Sequence, residues 1–156
     1  MRRLWFSVGI LASGALLALS LGTRVTHAFA DDEQSGELHV IKNCNNYTGQ
    51  AGSYCTIASS NLAQIPAGTR VFYDQAFGVP DPNPPGGMLD SNILLYAGTG
   101  DWAVGRCTLD GNTNLGLCTL SDGVGKLSGF HARLAVAPAS GTNNYTWIGP
   151  YHFDNN

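Results

Sequence analysis

The stretch Leu127-Ser128-Gly129-Phe130-His131-Ala132-Arg133-Leu134-Ala135-Val136-Ala137 decides the fold class. Phe130, Ala132, Leu134 and Val136 share one parity, while His131, Arg133 and Ala135 share the other. That period of two gives a strand one apolar and one solvent-facing side, and it suits no helix. The closing segment repeats the pattern, with Tyr145, Trp147, Tyr151 and Phe153 on one side and Thr146, Ile148 and His152 on the other. The residues between, Ser140 to Asn144, form a turn.

Six more runs rich in β-formers precede these two: Leu38 to Ile41, Tyr54 to Ala58, Thr69 to Tyr73, Ser91 to Ala97, Trp102 to Leu109 and Leu115 to Leu120. Turns at Pro66-Ala67-Gly68, Gly98 to Asp101, Asp110-Gly111-Asn112 and Ser121 to Lys126 punctuate them. Phe77 to Leu89 holds Pro80, Pro82, Pro84 and Pro85 with Gly86 and Gly87, so it is a long loop that can join neither a helix nor a sheet interior. About eight short strands at this spacing predict an all-β protein, a small antiparallel barrel or sandwich.

The first thirty of the 156 residues read differently. Arg2 and Arg3 lead into an apolar run from Leu4 to Leu21, and Ala28-Phe29-Ala30 offers a small-residue cleavage site, the pattern of a secretory signal peptide. Ser7, Gly9, Ser13, Gly14 and Ser20 dilute the run, which argues for cleavage over a retained membrane anchor. The expected organisation is therefore a signal peptide over 1–30, a flexible polar segment over 31–36 and one β-barrel domain over 37–156, with a product that is secreted or periplasmic and free of the membrane.

Loss of Arg2, Arg3 and Arg24 leaves five basic against eleven acidic side chains, a formal charge of −6. Lys42, Arg70, Arg106, Lys126 and Arg133 are scattered, so nucleic acid and anionic membranes are excluded as expected partners. Cys44, Cys55, Cys107 and Cys118 all follow the signal, in two pairs of equal spacing. An oxidising compartment and that spacing predict local Cys44–Cys55 and Cys107–Cys118 disulfides. A zinc site fails, since no C-x-x-C and no nearby histidine occurs.

The segments V-G-R-C-T-L, G-L-C-T-L-S-D-G-V-G-K-L-S-G-F-H-A-R and Y-T-W-I-G-P-Y-H-F, between Gly105 and Phe153, resemble the allene oxide cyclase-like and dirigent-like barrel superfamily. The turn Asp122 to Lys126 leading into Leu127-Ser128-Gly129-Phe130 carries most of the likeness; Asp122 and Val124 depart from the usual glycine and small hydroxyl residue. The resemblance implies a closed antiparallel barrel of about eight strands, with a lumen for one small apolar ligand. It also implies a protein that steers a substrate by holding it in one conformation, and a symmetric homo-oligomer.

The residues themselves do not show catalysis, and fold alone does not decide between an enzyme and a carrier. No G-x-S-x-G or H-E-x-x-H occurs, and Gly123-Val124-Gly125 lacks the third glycine of a phosphate loop. His39, His131 and His152 fall on three separate strands and read as surface residues, so neither a metal nor a cofactor is expected. For a cyclase or isomerase, the polar candidates are Tyr73, Asp74, Arg106 and His131. For ligand contact they are Arg133, Tyr145, Trp147 and Tyr151. The competing expectations are a non-catalytic carrier with an apolar lumen and a structural or interaction protein of the cell envelope.

Overall fold

The structure, a computed structural model, describes residues 34–78 and 87–154. The expected signal peptide, residues 31–33 of the segment 31–36 and the centre of the Pro-rich loop lie outside the described residues. Eight strands follow one another: β1 (Ser35–Asn43), β2 (Tyr54–Ser60), β3 (Arg70–Tyr73), β4 (Met88–Gly98), β5 (Asp101–Asp110), β6 (Gly116–Val124), β7 (Phe130–Pro138) and β8 (Asn144–Phe153). Each pairs antiparallel with the next, and β8 pairs back onto β1, so the sheet closes into a barrel and not a sandwich. Closure leaves no free edge strand.

Alternation along each strand fills the lumen. Leu38 and Val40 of β1, Ile57 of β2, Val71 of β3, Ile93 and Leu95 of β4, Ala103 of β5, Leu120 of β6, Phe130 and Leu134 of β7 and Trp147 of β8 are all buried. One end is stoppered by Leu62 and Ile65 from the β2–β3 loop and by Leu127 from the 3₁₀ turn Gly125–Leu127. The remaining space lies at the other end, where β1, β3, β5 and β7 finish and β2, β4, β6 and β8 begin.

Both disulfides form as the spacing predicts, Cys44–Cys55 and Cys107–Cys118. Cys107 and Cys118 stand directly opposite each other on β5 and β6, and all four sulfurs face inward at the open end. Two structural disulfides fit an oxidising environment.

Several strand boundaries differ from the expected ones. β1 begins at Ser35, not Glu37, because Ser35 and Gly36 pair with His152 and Tyr151 of β8. Met88 and Leu89, expected in the loop, start β4 opposite Asp110 and Leu109. β6 runs on through Asp122 and Gly123, where a turn was expected. Gly123 serves close approach there, since a Cβ would collide with the carbonyl of Leu127. Asp122 carries the positive φ of 87°.

Candidate functional site

Leu38, Val40 and Lys42 share the inward parity of β1, so the third inward position holds a lysine where the first two hold aliphatic residues. Lys42 is 4% exposed. Its neighbours follow from the register: Tyr145 is its direct partner on β8, and Trp147 is the partner of Val40 one step deeper. Nζ lies 4.5 Å from the Trp147 ring centroid, 5.4 Å from that of Tyr73 and 5.9 Å from that of Tyr145. It donates one hydrogen bond, to Tyr73 Oη at 2.6 Å.

Above Lys42 opens a cavity of about 100 Å³, lined by both disulfides, Tyr47, Tyr73, Phe77, Leu89, Leu109, Val136 and Tyr145, with Thr108 and Asn114 as the remaining polar groups. That volume takes several waters or one small organic molecule. Loop 44–53 and Phe77 frame its mouth through backbone bonds, Gly52 N to Tyr73 O at 2.7 Å and Phe77 N to Gly49 O at 2.9 Å. Tyr47 crosses the Tyr73 ring edge-on at 5.0 Å, and its buried hydroxyl has no hydrogen-bond partner among the described residues. Tyr145 Oη reaches Asn114 Oδ1 at 3.4 Å.

Among the described residues, no carboxylate lines this cavity. Burial therefore acts on Lys42 without a counter-ion and lowers its pKa to about 7. The Trp147 ring face favours the ammonium by about 2 kcal/mol. That is less than the roughly 5 kcal/mol that such a lowering represents, so desolvation wins. Burial raises the Tyr73 phenol far above its ordinary range, with Tyr47 and Tyr145 adding to it. Burial and then Tyr145 push Tyr47 up to about 12. Near neutral pH the site thus holds a partly neutral amine against phenols that keep their protons.

Of the residues singled out from sequence, Tyr73 and Tyr145 line the cavity and Trp147 floors it beneath Lys42. The others do not join them. Tyr151 packs at the stoppered end against Phe130 and Phe153. Asp74 and Arg106 border an open depression outside β4, β5 and β6. Arg106 forms a two-pronged pair with Asp90, which holds the Asp90 carboxyl below its ordinary value. His131 and Arg133 face outward because Phe130, Ala132 and Leu134 of the same strand face in. His39 Nε2 lies 3.7 Å from Glu37 Oε1 on β1.

His131 and His152, paired across β7 and β8, stack with centroids 4.9 Å apart. Asp154 lies 2.9 Å from His131 Nε2 and 3.4 Å from His152 Nε2. One donor atom from each of these three residues lies within 4.8 Å of the others, on the outside of the barrel, a set that divalent transition metals accept. Among the described residues, the cavity has no such donor set.

Lys42 is the residue that reading by strand segments missed. Ending the first strand at Ile41 hid the parity Leu38, Val40, Lys42, Cys44, which alone would have turned the lysine inward. Comparison with protein-family models, with curated proteins and with solved structures finds no match.

Proposed function

We propose that the protein is an exported binding protein that holds one small, mostly apolar molecule in the cavity above Lys42. The observation that carries this reading is Lys42 itself. Among the described residues the buried amine has one hydrogen-bond partner, and its remaining N–H capacity is costly to bury unless something accepts from it. An apolar rim of disulfides, Leu89, Leu109 and Val136 around that amine suits a ligand with an unsaturated or aromatic body and one oxygen acceptor. The acceptor would meet Lys42 Nζ and Tyr73 Oη, and the body would lie against Tyr47 and Tyr145. With Trp147 and Phe130 filling the lumen below, the ligand is a single-ring molecule or one of similar bulk, and a long acyl chain does not fit.

Export rests on the leader-like first thirty residues and agrees with the two disulfides. A second reading, a cyclase or isomerase of the kind the superfamily resemblance implies, is favoured by the Lys42–Tyr73 pair, an amine near its titration point beside a protonated phenol.

Native mass spectrometry of the oxidised protein, purified from its own host, tests the binding reading. A retained small organic mass in the wild type that is absent from a folded Lys42→Met variant is expected. A mass retained equally by both would place the ligand elsewhere and defeat the assignment.

A further inference from the structure

We propose that Lys42 captures small aldehydes or ketones in this cavity by forming an imine through Nζ, with Tyr73 relaying the proton. The proposal rests on the ligand-site reading above and names the class of ligand.

Lysine nucleophilicity needs a neutral amine, which a desolvated pocket without a carboxylate provides. The cavity offers no rival nucleophile among the described residues. Its four sulfurs are locked in disulfides. The Thr108 hydroxyl is bonded to the Leu117 carbonyl at 3.4 Å, and the tyrosines hold their protons. Among the described residues, the groups facing Lys42 are Tyr73 from β3 and Tyr145 and Trp147 from β8, with Tyr47 above them; none of these supplies an anion that would keep the amine protonated.

The step balances without a co-reactant. The Nζ lone pair bonds to the carbonyl carbon, and the carbonyl π pair moves to its oxygen. One amine proton passes to that oxygen by way of the Tyr73 hydroxyl, 2.6 Å from Nζ, giving a carbinolamine. The oxygen leaves as water with the second amine proton, and the C=N bond forms. One carbonyl compound and one amine give one imine and one water. Nothing is oxidised or reduced, and the apolar rim limits water for the reverse reaction.

The sequence provides an internal control, because Lys42 and Lys126 are its two lysines and Lys126 is largely exposed. The oxidised protein is incubated at about pH 7 with benzaldehyde and cyanoborohydride, then peptide-mapped by mass spectrometry. Benzylation of Lys42 at least about tenfold faster than of Lys126 is expected, because Lys42 lies in the apolar cavity whereas Lys126 Nζ sits in solvent 3.4 Å from the Asp101 carboxylate. Tyr73→Phe, which keeps the ring, should slow labelling of Lys42 several-fold while leaving Lys126 unchanged; an unchanged Lys42 rate would remove Tyr73 from the step. Label confined to Lys126 and the α-amine overturns the imine. Parallel titration with benzyl alcohol, which cannot form an imine, separates the two failures. If the alcohol binds and Lys42 stays unlabelled, only the imine falls; if the alcohol does not bind either, the ligand site falls with it.

Discussion

Replacing Lys42 by methionine should change how stability depends on pH. Methionine has similar length and no charge, so it can occupy the space above Trp147 with little repacking. In the wild type the Lys42 pKa is about 7 in the barrel against an ordinary 10.5. Between those values the unfolded chain holds the proton and the folded chain has released it, so wild-type stability rises with pH. The slope approaches about 1.4 kcal/mol per pH unit. Above about pH 10 the tyrosines reverse the trend, because the unfolded chain ionises Tyr47 and Tyr73 before the folded barrel does. The useful window therefore runs from about pH 7 to about 9.5, where wild type should gain about 2–3 kcal/mol relative to Lys42→Met, the lower figure allowing for the Trp147 ring face. Urea unfolding followed by far-ultraviolet circular dichroism at each pH, with disulfides intact, measures it. Parallel stabilities for the two proteins across that window would refute the claim that Lys42 is buried without a counter-ion.

Trp147→Ala removes the fully buried floor of the site and should cost about 3–5 kcal/mol in the same urea assay. Replacing Cys107 and Cys118 together by alanine opens a loop whose ends are 11 residues apart and should cost about 3 kcal/mol in chain entropy, read as a lower urea midpoint. Gly105→Ala should destabilise by about 1–3 kcal/mol, because its Cβ would strike the Thr119 carbonyl on β6. Arg106→Ala and His131→Ala, both outside the barrel, should leave ligand affinity unchanged by calorimetry, whereas Tyr73→Phe should weaken it through loss of one buried hydroxyl, about 1 kcal/mol or more.

The all-β architecture was legible because β7 and β8 alternate cleanly, and the disulfides because the cysteine pairs share one spacing, whereas a closed barrel in place of a sandwich was only what the resemblance implied. The turn-like run Ser121 to Val124 misled because glycine marks close approach as well as reversal, and Gly123 is there for the first reason. The same alternation that buries Phe130 and Leu134 already assigns His131 and Arg133 to the outside, and Cys107 assigns Arg106 there too. Keeping those residues as lumen candidates discounted parity in favour of polarity. Lys42 was hidden for the converse reason. A charged residue after Ile41 reads as the end of a strand, although β1 continues to Asn43 and pairs with β8 throughout. Neither the filling of the lower lumen by Trp147 nor the pairing of Asp90 with Arg106 can be read before the register is known.

The most direct test of the ligand site is an NMR titration of the oxidised, ¹⁵N-labelled protein with benzyl alcohol. Saturable shifts concentrated at Lys42, Cys55, Tyr73, Leu109 and Tyr145, around the cavity, are the expected result. Shifts confined to the outer faces of β4, β5 and β6, or none at millimolar concentration, would contradict it.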